Sequence, residues 1–218
     1  MAKNVIQNYI DSLTFTTYKN EKRTSRSIIQ DYLDNGNNIR SSLINQSDVI
    51  IAIANVIIHA FLNDRKVIIL GNGGSAADAQ HIAAEFISGC FAEGISLPAL
   101  ALTTNTSCLT SIANDYGYEY IFVRQLQALV RKSDVVIGIS TSGNSVNVLR
   151  AMEAATKSGA ITVSFTGEGG KLKQAASYVI SIPSNDTPLI QEAHITVGHL
   201  ICFLVGDAFI KRKPVVAV

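Results

Sequence analysis

From Lys66 onward the chain alternates short apolar runs with longer segments of helical spacing, and this alternation limits the fold more than any other feature. The runs are Val67-Ile68-Ile69-Leu70, Ala99-Leu100-Ala101-Leu102, Val135-Val136-Ile137-Gly138-Ile139 and Ile161-Thr162-Val163-Ser164-Phe165, with a weaker fifth at Tyr178-Val179-Ile180-Ser181-Ile182. A strand with one wet face alternates apolar and polar side chains. One that is apolar throughout is covered on both faces, the condition of a parallel sheet between helices. Residues 76–86 and 146–157 carry the three-and-four spacing of the covering helices. The expected fold is therefore α/β: an open parallel sheet flanked by helices on both faces.

Residues 1–63 read as a helical arm with breaks near Asn35-Gly36-Asn37-Asn38. Its clearest amphipathic stripe is Val49, Ile50, Ile53, Ala54, Ile57, Ile58 and Phe61. The expected division is an arm over 1–63 that joins an oligomer interface and a domain over 64–218. The last helix starts at Pro188 with Thr187 as its cap and ends about Ile210. Its apolar stretch, 195–206, is too short for a bilayer span, with Gln191, Glu192 and His194 before it and His199 inside it. One domain of this size should not bury both apolar helices, so a second subunit is expected to cover part of them, with Ile57 on the covered face.

Composition narrows the partners. Lys and Arg number 18 against 17 Asp and Glu, so no overall field favours nucleic acid or a membrane surface. Lys211, Arg212 and Lys213 read as a solvated helix end. Cys90, Cys108 and Cys202 have neither metal nor redox spacing, and the first twenty residues, with Asp11 among them, do not form a secretory signal. A soluble cytoplasmic protein with reduced thiols is expected.

Two loops point to chemistry. Gly71-Asn72-Gly73-Gly74-Ser75 and Ser140-Thr141-Ser142-Gly143-Asn144-Ser145 each follow a strand and precede a helix, so both fall at the carboxyl edge of the sheet. Glycines let the backbone approach an anion, and a helix N-terminus presents free N–H groups to it. Four hydroxyls within 140–145 add donors for phosphate oxygens. No Gly-Lys-Ser/Thr follows either loop, and Ala76 stands where G-x-G-x-x-G needs its third glycine. A sugar phosphate fits better than a nucleotide cofactor.

His81 and Glu85 share one helix face, and Gln191 and His199 lie two turns apart on the last helix. Such groups can move a proton between adjacent carbons, or hold a divalent metal. Together the two loops, His81-x-x-x-Glu85, Asn114-Asp115-Tyr116-Gly117 and Gln191-Glu192-x-His194-x4-His199 resemble the phosphoheptose isomerases of the sugar isomerase (SIS) family, over about residues 66–210. The resemblance implies isomerisation of sedoheptulose 7-phosphate to glycero-manno-heptose 7-phosphate, at the start of nucleotide-activated heptose synthesis. It implies an open five-stranded parallel sheet between helices, a flavodoxin-like three-layer sandwich. It implies Ser140, Ser142 and Ser145 on the phosphate, Asn72, Ser75, Asp115 and Thr141 on the sugar hydroxyls, Gly73 and Gln191 among the substrate-binding residues, and Glu85 with His199 as the proton-transfer pair. It also implies zinc on His81, Glu85, Gln191 and His199, and a homotetramer with active sites at subunit interfaces. Glu85 cannot be a tight ligand and a free base at once, so its metal contact is expected to be weak or exchanging. The alternatives are an isomerase of another sugar phosphate and a non-catalytic SIS-fold binding protein, the latter having no need of a proton-transfer pair.

Overall fold

The computed structural model describes residues 15–16, 22–89 and 94–211. Phe15–Thr16 (β1) pairs antiparallel with Lys22–Arg23 (β2). Helix α1 follows at Ser25–Ser42, then a 3-10 turn at Leu43–Gln46 and α2 at Ser47–Leu62. The alternating part runs β3 Val67–Gly71, α3 Gly74–Ser88, β4 Ala99–Ala101, α4 Thr106–Tyr116, α5 Val123–Leu129, β5 Val135–Ser140, α6 Val146–Lys157, β6 Ile161–Thr166, β7 Tyr178–Ser181 and α7 Thr187–Ile210.

All five apolar runs become strands of one parallel sheet in the order β4-β3-β5-β6-β7. From β3 the chain steps outward to β4 and then returns to β5 on the other side. The order therefore reverses between β3 and β5, where crossovers diverge and leave a crevice at the carboxyl ends. Gly71 lies opposite Ile139 in the register, so the 71–75 and 140–145 loops leave neighbouring strands.

Strand side chains alternate between two cores. Val67, Ile69, Val135 and Ile137 face α2, α3 and α7, whereas Ile68, Leu70 and Val136 face α5 and α6 through Leu126 and Met152. Helix α7 is the middle of the first layer, with Val197, Ile201 and Val205 fully or nearly fully buried. With 24 residues it exceeds the 195–206 stretch, and both it and Ser25–Leu62 are long and apolar enough to cross a bilayer. Its packing against α1, α2 and α3 is that of a central helix in a globular core.

Four expectations need correction. Residues 15–16 and 22–23 are extended rather than helical, while 1–14 and 17–21 lie outside the described residues. Helix α1 continues through Asn35-Gly36-Asn37-Asn38 and breaks only at Leu43. Gly36 is kept helical by burial against α7: a Cβ there would meet Glu192 and Leu189 at 3.6 and 3.7 Å. Thr187 is the first helical residue and Asp186 holds the cap position. Ile57 is completely buried within the protomer. The reason is that the arm lies on the sheet: Gln46 donates to the Ser181 carbonyl and accepts from its N–H, both at 3.0 Å, extending the β7 edge with a side-chain amide.

Candidate active site

Helices α3 and α7 pack so closely that small residues are required between them. A Cβ on Gly74 would lie 2.4 Å from Gln191 Nε2, and one on Gly198 would lie 2.7 Å from Ile82. That approach brings His81 and His199 together across the two helices. His81 Nε2 lies 3.1 Å from Glu85 Oε1 and 3.1 Å from His199 Nε2, with the rings edge to face at 4.9 Å.

The three ligand atoms all lie within 4.8 Å of one another. Atoms bound tetrahedrally about 2.0–2.2 Å from one ion sit roughly 3.3–3.6 Å apart; the two His81 separations here are 3.1 Å and the third is at most 4.8 Å. Protons alone satisfy the cluster poorly. A neutral His81 carries one proton at Nε2 or none, so it must either share that proton between two neighbours or face one of them acceptor to acceptor. His81, Glu85 and His199 therefore fit a divalent cation. Glu85 Oε2 is buried without a hydrogen-bond partner. One carboxylate oxygen thus belongs to the cluster, while the other is enclosed in the protomer without a hydrogen-bond partner.

Gln191 is not with the other three. Its amide lies over Gly74 at the start of α3, and on α7 it is eight residues before His199, about 12 Å of axial rise. Asp78, one turn before His81, was not singled out in the sequence. Its carboxyl is pushed up to about 6 by burial, with His81 acting in the opposite direction, and its Oδ2 has no partner.

The serine loop is tied down from within. Ser140 Oγ lies 2.9 Å from Ser145 Oγ and 3.4 Å from Ser142 Oγ, and the Asn144 N–H donates to Ser142 Oγ at 3.2 Å. Gly143 has a φ of +64°, and a Cβ there would strike the Gly169 carbonyl at 2.6 Å. The 140–145 and 167–170 loops are therefore locked back to back. Ser145 and Asn72 line one concavity of about 510 Å³ with Tyr118, Glu119, Val146 and Asn147. Thr141 and Ser142 open on another, of about 350 Å³, beside Gly170 and Asn185. Gly73 has a φ of +56° at the start of α3, and Ser75 is buried in its first turn. Asp115 lines a third concavity with Tyr116, Tyr120 and Arg124.

Sequence reading also missed Asn147 and Tyr118. Asn72 and Asn147 exchange side-chain amide bonds, both of 2.9 Å, and Tyr118 OH donates to Asn72 Oδ1 at 3.0 Å. Asn147 directly follows the serine loop, but an Asn early in a helix looks like a local capping residue, so only the neighbouring strand reveals its partner.

The parallel sheet with its loops meeting at the strand-order reversal is that of a SIS-domain protein, and the SIS domain model matches residues 31–167. A phosphoheptose isomerase of Aneurinibacillus thermoaerophilus is 46% identical over 189 residues, covering 85% of this chain and 96% of that protein. The phosphoheptose isomerase structure from Neisseria gonorrhoeae superposes with a TM-score of 0.80 at 36% identity, covering 84% of this chain and all of that one. That from Francisella tularensis gives 0.82 at 30% identity, over 85% of this chain and all of its own. The chain belongs to the phosphoheptose isomerase family and is an isomerase.

Proposed function

We propose that the protein converts D-sedoheptulose 7-phosphate to D-glycero-D-manno-heptose 7-phosphate, supplying nucleotide-activated heptose synthesis in the cytoplasm. The observation that carries the chemistry is the convergence of His81, Glu85 and His199 on one point between α3 and α7. The Glu85 carboxylate takes a proton from C1 of the ketose, giving an enediol(ate), and returns it to C2. The O1 proton leaves and O2 gains one, so C1 becomes the aldehyde and C2 the carbinol; His199 serves these oxygens. A divalent metal, zinc by donor type, would polarise the two adjacent oxygens when held by His81, Glu85 and His199. Ser140, Ser142 and Ser145 hold the phosphate, while Asn72, Gly73, Ser75, Thr141, Asp115 and Gln191 serve the sugar.

Glu85 stands eleven residues along α3 from Gly74, about 16 Å of rise from the first loop. The triad and the loops of one protomer are thus apart, which supports a site completed by a neighbouring subunit in a homotetramer. Exposed Ile44, Ile51, Leu200 and Phe203 around an apolar groove of about 490 Å³ supply a surface for that contact. The reading is tested by following sedoheptulose 7-phosphate by NMR with the purified protein, before and after chelation and zinc add-back. Aldose product that is lost on chelation and restored by zinc is expected. No aldose product would reject the substrate, and full activity in metal-free protein would reject the metal.

A further inference from the structure

The Asn72–Asn147–Tyr118 cluster joins the two loops, and its hydrogen bonds can be accounted for atom by atom. The Val148 N–H donates to Asn147 Oδ1 at 2.9 Å, so that atom must be the oxygen, and the orientation of the Asn147 amide follows from the backbone. The same oxygen accepts from Asn72 Nδ2 at 2.9 Å, and Asn147 Nδ2 donates to Asn72 Oδ1 at 2.9 Å. Tyr118 OH gives Asn72 Oδ1 its second donor, at 3.0 Å. Both lone pairs of Asn72 Oδ1 are then used, along with one of its two Nδ2 hydrogens. Asn147 is 3% exposed, whereas Asn72 borders the concavity of about 510 Å³ shared with Ser145.

We propose that Asn147 and Tyr118 are positioning residues that hold Asn72 as a dedicated donor: its remaining Nδ2–H is presented to a substrate oxygen, and its carbonyl is kept from competing as an acceptor. A free asparagine side chain rotates and offers either end. Here a flip would set oxygen against oxygen at Asn147 and turn the NH2 group toward the Tyr118 hydroxyl. The site therefore favours a ligand that puts an acceptor, a carbonyl or alkoxide-like oxygen, beside Asn72. That matches the oxygens carrying charge in an enediolate, and on this point the inference rests on the reaction proposed above.

The test is a double-mutant cycle on the full protein with sedoheptulose 7-phosphate. Tyr118→Phe and Asn147→Asp should each lower kcat/KM by about tenfold, the scale of one hydrogen bond. In an Asn72→Ala background both effects should fall to less than twofold, because the residues act through Asn72. If Asn147→Asp acted through its added charge beside the serine loop instead, its effect would stay near tenfold in that background and overturn the positioning role, so the cycle separates charge from positioning. Full additivity, or no effect of Tyr118→Phe, overturns the proposal. A readout independent of turnover is the Asn72 side-chain amide pair in 1H–15N spectra. It should shift in both variants, and an unmoved pair overturns the proposal even if the wild-type protein proves inactive on this sugar, a result that would reject the substrate instead.

Discussion

Glu85 has two unlike oxygens: Oε1 is 3.1 Å from His81, and Oε2 is buried with no partner. Burying a polar atom without a partner costs about 1–3 kcal/mol, so the Glu85 carboxylate is a destabilised group held in place by the packing of α3 on α7. Replacing Glu85 by Gln keeps size and one acceptor oxygen but removes the base. Turnover should fall by at least about a thousandfold, with little change in thermal midpoint and ligand affinity. Steady-state isomerisation with a parallel melting curve checks this, and turnover within about threefold of wild type removes Glu85 from the proton-transfer role. Both proposed roles of this carboxylate can be read from residue type and spacing, but the difference between its oxygens cannot. It arises from which neighbours α7 brings alongside.

At the scale of elements, α7 ties its layer together through His194 as well as through the triad. This side chain is fully buried on the Phe165 ring, and its Nε2 lies 3.2 Å from the Thr166 carbonyl at the end of β6. Burial lowers its pKa to about 4, with the Thr166 hydrogen bond opposing, so the folded protein keeps it neutral. The unfolded chain takes up this proton near pH 6.5, the folded one only near 4. The stability linked to His194 is therefore complete above about pH 6.5 and is lost as pH falls toward 4. By pH 5 the loss should be roughly 2 kcal/mol. Urea unfolding at pH 7 and pH 5 should show that difference in wild type and a much smaller one in His194→Gln; equal slopes would place the acid sensitivity elsewhere. The same scale explains the misplaced break in the arm. A glycine among asparagines reads as a helix end, yet contact with Glu192 and Leu189 keeps Gly36 helical.

For the whole molecule, the layer of α1, α2 and α7 decides which apolar residues are core and which are left for a partner. Ile57 is completely buried, so a charge there would unfold the protomer rather than divide an assembly. Phe203 is 56% exposed and Ile44 73%, and both border the groove between the 3-10 turn and α7. Phe203→Glu is the better probe of the proposed tetramer. Light scattering should detect smaller species, with far-ultraviolet helicity retained and activity lost in step. Unchanged mass would show that the groove is not the contact, and a fully active monomer would show that the site needs no neighbour.

The order of strands and helices, the two carboxyl-edge loops and the His81–Glu85 pair follow from sequence alone, because strand burial, turn chemistry and helix periodicity are local in the chain. The 71–75 and 140–145 loops needed only the rules of parallel sheets to fall on one edge. What tertiary structure decided is which distant residues meet. His199 reaches His81 across 118 positions because Gly74 and Gly198 let α7 approach α3. Asn72 meets Asn147 because β3 and β5 are neighbours. Gln191 lies over Gly74 because α7 crosses the start of α3. Periodicity says which face of an element is buried; it does not say what that face is buried against.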